Sequence, residues 1–333
     1  KEAKEKGICA IIAHDMAVIN YARSIDMPIH ISTQANVSNI EAVIYYSKFA
    51  DCIVLARELD IDQIKSICDE IKNKKIKGPS GNLLKIEIFI HGALCAAISG
   101  KCYMSLFQYN HSANKGKCLQ ACRRKYLVTE METKKELIID NNYIMSPKDL
   151  CTIDYLEQIT SSGVNVLKIE GRARTADYVY VTTKTYVNAI KETLGKDPLS
   201  TKQKEKYKED LKSVYNRGFW NGGYYLNKDL NAWSNTYGSC ATTEKTFIGN
   251  VTNYFQKSKI AEIKIKSHNL QPNDNILFIG ETTGAVYHTI ENMVNHTNAN
   301  SQIAKKEDLI TMQIKTKLRR NDKLYLLKTR TCQ

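Results

Sequence analysis

The sequence predicts an α/β chain: a (β/α)8 TIM-barrel-like domain, N-terminally incomplete, followed by a small antiparallel β-barrel. Three observations predict it. Short continuous apolar runs alternate with amphipathic stretches through the first half, the pattern of a parallel sheet covered by helices. Each of those runs finishes in a polar cluster. From Thr246 onward the pattern changes to short alternating strands separated by turn residues.

Taken in order, Gly7–Ala13 reads as a strand and Met16–Ser24 as a helix. Pro28–Ile31 is a strand, Val37–Phe49 a helix and Asp51–Ala56 a strand. Asp60 and Gln63 have the spacing of a capping box, opening a helix with Ile64, Ile67, Cys68 and Ile71 on one face. Lys85–Ile90 is a strand. Ile153–Ser161 is a helix that Gly163 ends, and Val164–Ile169 is the strand after it.

The strand ends carry the functional signal. They read His14-Asp15, Ser32-Thr33-Gln34, Arg57-Glu58, His91-Gly92 and Glu170-Gly171-Arg172. In a (β/α)8 barrel the active site sits at the C-terminal ends of the strands, so polar clusters there resemble a barrel mouth. A doubly wound sheet would use only its switch point. No GxGxxG follows a strand and no Walker A motif is present, which argues against a dinucleotide or P-loop fold. Five such strands do not close a barrel of eight. The chain also opens on Lys1 and runs almost at once into Ile8–Ala13, so strands ahead of this start are expected.

Asp177 to about Tyr215 is helical and basic, with Lys184, Lys191, Lys202, Lys204, Lys206, Lys208 and Lys212. Asn216–Tyr224 is an aromatic, glycine-rich loop. Phe247–Val251, Ile260–Ile265, Asn275–Ile279, Leu309–Ile314 and Lys323–Leu327 alternate as strands, with turn signals at Pro272-Asn273-Asp274 and Arg320-Asn321-Asp322. The expected domains are therefore 1–230, with a cysteine-rich insertion at 91–151, and 245–330.

Composition narrows the class. A length of 333 residues suggests about two domains at roughly 150 residues each. Hydrophobic content of 43% and charged content of 25% are those of a globular chain, which excludes disorder throughout. No run of about 18 apolar residues exists, so no membrane insertion is expected. Lys and Arg number 48 against 35 Asp and Glu, a net charge of +13. That balance suits a polyanionic partner. Ten cysteines are too few for a disulfide scaffold, and the N-terminus does not read as a signal peptide. The expected location is cytoplasmic, where clustered cysteines point to metal or catalysis.

The cysteines are clustered. Cys95, Cys102, Cys118 and Cys122 fall close together and Cys151 comes after them. No CxxC pair occurs, so the spacing is not that of a zinc ribbon. Irregular spacing is compatible with an iron–sulfur cluster whose thiolates come from loops. Gly92, Gly100 and Gly116 would let backbone approach it. Alternatively, free cysteines are small buried hydrophobes, the better reading for Cys9, Cys52 and Cys68.

Four runs carry a family resemblance: EIFIHGALCAAISGKC, NKGKCLQACRRKY, SPKDLC and LKIEGRARTADYV. Together they resemble the collagenase-like peptidases of unknown catalytic type, the thirty-second family of that class. The resemblance covers residues 5–230 firmly and the C-terminal strands weakly. Its members include prephenate-dependent tRNA uridine hydroxylation proteins, a ribosomal RNA cytidine hydroxylation protein and oxygen-independent ubiquinone hydroxylation proteins. The resemblance implies a TIM-barrel-like catalytic domain with further βα units at its start. It also implies a [4Fe–4S] cluster on Cys95, Cys102, Cys118 and Cys151, with Cys122 as a companion thiol that competes with Cys118 for the third place.

The older family label implies peptide hydrolysis. A cysteine nucleophile would need a paired imidazole, and His91 precedes Cys95 by four residues. Neither GxSxG nor HExxH is present. Hydroxylation of an RNA explains more. Arg123, Arg124 and Lys125 directly succeed Cys122 and could hold phosphates beside the cluster. Phe219, Trp220, Tyr224 and Tyr225 could stack an unpaired base or pack into the core. At the barrel mouth, Arg57, Lys168 and Arg172 could bind carboxylates of a small acid such as prephenate, with Glu58 and His30 beside them. Glu87, Glu170, Gln34 and His91 are the candidate proton-handling or orienting groups. Mutual ion pairing at the rim is the structural alternative for the charged residues. The expected enzyme is thus an iron–sulfur tRNA uridine hydroxylase with prephenate as co-substrate, acting on tRNA and open to a paralogous partner subunit. A peptidase and a non-catalytic RNA-binding accessory protein are the alternatives.

Overall fold

The computed structural model describes residues 1–95, 97–98, 101–134, 136–137, 146–195, 198–220, 225, 233–234, 236, 238–299 and 302–330. The chain divides into two compact units. One comprises Lys1–Glu170, Asn188–Glu205 and Asn216–Ser239; the other comprises Gly171–Val187, Lys206–Tyr215 and Cys240–Gln333.

In the first unit the apolar runs become β1 (Ile11–Ala13), β2 (Ile29–Ile31), β3 (Cys52–Val54), β4 (Lys85–Gly92) and β6 (Val166–Ile169), with β5 (Asp149–Cys151) before the last. β1 to β4 pair in parallel in chain order, and β6 pairs in parallel with β4, setting Glu87 opposite Val166. Ile29, Ile31, Ile53, Val54, Ile86, Ile88 and Ile90 are fully buried, as strands covered on both faces require. The flanking helices start where the sequence supplies caps. Asp15 accepts the Ala17 and Val18 amides to open α1 (Met16–Ser24), and Asn39 accepts the Ala42 amide to open α2 (Ile40–Ser47). Asp60 and Gln63 form the expected capping box of α3 (Ile61–Asn73), which buries Ile64, Ile67, Cys68 and Ile71. Two short helices, α4 (Met104–Tyr109) and α5 (Leu156–Ser161), complete the set used below.

Several expectations change. The helix expected over Val37–Phe49 begins only at Ile40, because Val37 bridges to Leu55 and Asn39 takes the N-cap position. The cysteine-rich segment is not wholly an insertion: it contributes β5, antiparallel to the end of β4, with His91 opposite Cys151. The aromatic loop contains β7 (Phe219–Trp220), which extends β5 in parallel. The closed eight-stranded barrel is not what the described residues form. Their sheet runs β1-β2-β3-β4-β5-β7 with β6 attached to β4, and β1 and β7 are its ends. Closure is a property of tilt and shear across all strands. A buried apolar run reports only that both faces of one strand are covered.

The basic stretch forms two helices, α6 (Ala176–Thr193) and α7 (Thr201–Lys212), each with residues in both units. Pro198 lies between them and offers no amide to continue a helix. Ser200 and Gln203 then exchange reciprocal capping hydrogen bonds that start α7.

The second unit holds an antiparallel sheet of β8 (Thr243–Phe255), β9 (Ile260–Ile265), β10 (Asn275–Gly280), β11 (Gly284–Thr289), β12 (Val294–Asn295), β13 (Leu309–Gln313) and β14 (Lys323–Thr329). Its order is β11-β10-β14-β8-β9-β13-β12. Inward residues of alternate positions, including Ile248, Val251, Ile263, Ile276, Phe278, Ile310 and Leu324, form its core. Gly249 sits at a bulge in β8, where a Cβ would run into the Lys264 carbonyl. The expected small barrel is corrected to this open path, since β11 and β12 end it without pairing to each other. Neither belongs to the expected strands. β11 alternates too weakly in hydrophobicity, and what makes it a hairpin partner of β10 is the left-handed turn at Gly284, φ +75°. Among the described residues no helix is long and apolar enough to cross a membrane.

Candidate functional site

Two constellations lie in the first unit. The first is a charged centre on β2, β3, β4 and β6. Parallel neighbours in register bring His30, Cys52, Glu87 and Lys168 to one face. Glu87 is buried, and His30 Nδ1 lies 3.0 Å from its Oε2 while Lys168 Nζ lies 2.7 Å from its Oε1. Burial opposes ionisation of Glu87, but the hydrogen bonds and charges of His30 and Lys168 outweigh it and hold the carboxyl at about 2. Cys52 Sγ donates to the same carboxylate at 3.6 Å. Burial first, and then the Glu87 charge, push that thiol up to about 12.

His30 Nδ1, Cys52 Sγ and a Glu87 oxygen all lie within 4.8 Å of one another, close enough for one divalent ion to bridge. Two features oppose that use. Lys168 already neutralises the carboxylate, and a ligand thiol must ionise. The group is a hydrogen-bonded charge centre whose outer members are His30 and Lys168.

Arg57 stands beside it. Its guanidinium lies 3.8 Å from the centroid of the Phe89 ring, and Lys168 Nζ lies 5.3 Å from the same centroid. Arg57 also donates to the Ala93 carbonyl at 3.1 Å and approaches Glu170 at 3.8 Å. Burial pulls its pKa down from the usual value, and Glu170 opposes that pull. Its Nε is buried with no hydrogen-bond partner among the described residues. Glu58 is exposed. His91 is buried against Phe219, ring centroids 5.6 Å apart, and its carbonyl accepts the Glu170 amide. Arg172 belongs to the second unit.

The pairing at Glu87 sets a pH dependence. An unfolded Glu87 titrates near 4.5 and the folded one near 2. The contribution is therefore complete above pH 4.5 and is lost as pH falls from 4.5 towards 2. The contribution at neutral pH is on the order of 3 kcal/mol. Urea midpoints measured from pH 6 to pH 2 are expected to fall more steeply for the wild type than for Glu87→Gln. Parallel curves would contradict the assignment.

The second constellation is the cysteine segments. Burial pushes the Cys122 thiol up, Arg123 opposes it and the thiols of Cys95, Cys118 and Cys102 add to it, so each of those three lies within electrostatic reach of Cys122. Cys118 Sγ accepts the Gln120 amide at 3.4 Å and lies 3.9 Å from the Ser105 hydroxyl. Cys151 is buried in β5.

Two arginines bind these segments together. Arg123 donates to the carbonyl of Leu94, next to Cys95, to the Pro147 carbonyl at 2.6 Å, and to Ser146 Oγ at 3.3 Å. Arg217 donates to Gln120, between Cys118 and Cys122, at 2.9 Å, and pairs with Asp149, two residues before Cys151, at 3.3 Å. The expectation that Arg123 faces RNA is corrected: its guanidinium is engaged with three protein acceptors. Arg124 and Lys125 are exposed, Arg124 lying 5.0 Å from the Tyr109 ring centroid. Gln34 donates to Asn114 at 3.0 Å, tying the end of β2 to the loop before Cys118.

Of the expected stacking aromatics, Trp220 and Tyr225 are buried, and the Tyr225 hydroxyl donates to the Phe89 carbonyl at 2.7 Å. Tyr224 lies outside the described residues. Sequence reasoning missed Arg217. Its only sign is a single cation inside an otherwise apolar and glycine-rich loop.

The model of Peptidase family U32 matches residues 1–235. A protein named collagenase from Porphyromonas gingivalis is 44% identical over 323 residues, 97% of this chain and 77% of that protein. A tRNA hydroxylation protein P from Escherichia coli is 28% identical over 314 residues, 80% of this chain and 66% of that protein. A 23S rRNA 5-hydroxycytidine synthase from Escherichia coli is 35% identical over 198 residues, 57% of this chain and 28% of that protein.

Proposed function

Given that the chain belongs to peptidase family U32, we propose that it is an iron–sulfur RNA-modifying enzyme. The reaction is hydroxylation of a tRNA wobble uridine, with prephenate as hydroxyl source. The parallel-rich sheet is, in this reading, part of a TIM-barrel-like domain. The observation that supports it most is the joining of three cysteine-bearing segments by Arg123 and Arg217.

The residues fit a [4Fe–4S] cluster. Cys95, Cys102 and Cys118 supply three thiolates, and the amide of Gln120 aimed at Cys118 suits a negatively charged sulfur. Cys151 is the fourth ligand, because Asp149 of its strand is fastened through Arg217 to the Cys118 loop. Cys122 is the companion. Bound there, the cluster supplies one-electron redox chemistry.

The chain's own groups supply the rest. Lys168 and the Nε of Arg57 are placed to bind a carboxylate. Glu87 stays ionised at neutral pH and therefore positions Lys168 and His30 rather than donating a proton. Among relatives, hydroxylation proteins of tRNA and rRNA support the substrate class.

The relative named collagenase favours a second reading, peptide hydrolysis. The charged centre argues against Cys52 as its nucleophile, because a thiol held near 12 is the reverse of an activated one. Gelatin hydrolysis that copurifies with the protein and disappears in a point variant would support that reading.

The test has two arms. Protein purified anaerobically is expected to be brown and to contain iron and sulfide. Cys118→Ala and Cys151→Ala should lose the iron and Cys122→Ala should retain it. Loss in Cys122→Ala with retention in Cys118→Ala would exchange those two roles, and an iron-free wild type would overturn the cluster. In a deletion strain, mass spectrometry of tRNA nucleosides should show loss of 5-hydroxyuridine derivatives, restored by the wild type but not by Cys118→Ala. Unchanged nucleosides would reject the substrate.

A further inference from the structure

The chain from Ile88 to Thr129 contains no Asp or Glu, yet carries Lys101, Lys115, Lys117, Arg123, Arg124 and Lys125. Arg123 is turned onto protein carbonyls, and the other five are exposed. Within the same stretch two aromatic side chains stand in solvent: Tyr103 is 80% exposed and Phe107 is 92% exposed. Two rings so exposed, four residues apart in one stretch, mark it as a candidate binding surface.

The local structure shows why they point outward. Ser105 is the buried member of α4, accepting the Leu119 amide at 2.9 Å and lying beside Cys118. Phe107, two residues on, is turned by about 200° around the helix and faces away. The short helix is thus fixed to the Cys118 loop, which carries Lys115 and Lys117. Arg124 lies against Tyr109 at the end of the same helix. Rings and cations belong to one exposed, acid-free stretch that carries the cysteine segments.

We propose that Phe107 and Tyr103 are a stacking platform for unpaired bases of a single-stranded RNA segment, with Lys101, Lys115, Lys117 and Arg124 holding its phosphates. The proposal rests on the RNA-hydroxylation reading and names its binding surface. Charge decides the occupant. Interfaces with other proteins are depleted of Lys at their centres, whereas single-strand binders combine exposed rings with a cationic track. An acid-free stretch also repels no phosphate.

The test is fluorescence anisotropy of the full protein with a fluorescein-labelled tRNA anticodon stem–loop at several salt concentrations. Phe107→Ala is expected to weaken binding about tenfold, Phe107→Trp to retain it, and neither to change the salt slope. Arg124→Gln should reduce that slope by about one unit. Phe107 touches solvent almost everywhere, so its truncation is not expected to unfold the chain. If the wild type binds and both Phe107→Ala and Tyr103→Ala stay within twofold of it, the platform is wrong while the hydroxylation reading stands. If the wild type does not bind the RNA, both fall. If Phe107→Ala leaves RNA binding intact but dissociates an oligomer in sedimentation, the surface is a self-association face and the proposal is overturned.

Discussion

Glu87→Ala is expected to lower stability by about 2–4 kcal/mol, the range for leaving a buried charge without its partner, reduced because Lys168 reaches solvent. The Glu87 side chain is 5% exposed and takes both Lys168 and His30 as partners, with the Cys52 thiol as a third. Its removal leaves the Lys168 ammonium on the same Phe89 ring as the Arg57 guanidinium, with Glu170 at 3.8 Å from Arg57 as the nearby carboxylate. Thermal unfolding should register the loss directly. The double variant Glu87→Gln/Lys168→Met separates charge from packing. It should recover most of the stability, since a neutral pair strands no charge, while binding of prephenate, the proposed co-substrate, should be weakened by loss of the Lys168 charge. A single Glu87→Ala variant as stable as the wild type would show that Lys168 is not held by this carboxylate.

That centre is legible in part from the sequence. His30 and Lys168 lie near the ends of apolar runs and Glu87 interrupts one, which marks each as a polar group within a strand. Cys52 reads as a core thiol, which its burial supports, but its hydrogen bond to Glu87 depends on register, and register is not written in a single strand. The same limit explains β5 and β7. SPKDLC and NRGFW are short, polar or glycine-bearing, and neither shows a period. They become strands because β4 offers β5 an edge at His91 and Gly92, and β5 offers β7 the next.

Proximity of Arg123 to Cys122 in the sequence suggests a phosphate contact. Its direction cannot be read there, and the carbonyls of Leu94 and Pro147 claim it. Exposure of Phe107 is equally hidden, because an isolated aromatic in a cysteine-rich stretch has no pattern that distinguishes core from surface.

Arg217→Ala is expected to be the more damaging change, about 3–5 kcal/mol, because both members of its pair are out of water. The side chains of Arg217 and Asp149 are 6% and 2% exposed. Asp149 accepts the Arg217 backbone amide at 3.2 Å as well as the guanidinium, so the truncated variant retains one hydrogen bond and loses the charge. The second arm of the guanidinium ends on Gln120, and that contact has a separate consequence. It is the link between the strand of Cys151 and the turn between Cys118 and Cys122. An apolar pair of similar volume, Asp149→Leu/Arg217→Met, should return the stability, because replacing both charges removes the stranded one. It cannot rebuild the link to Gln120, so iron content should remain low in the double variant even where unfolding temperature recovers. Stability and iron content recovering together would mean that Arg217 serves packing alone. Recovery of stability without iron is the outcome that makes Arg217 a positioning residue for the cysteine ligands.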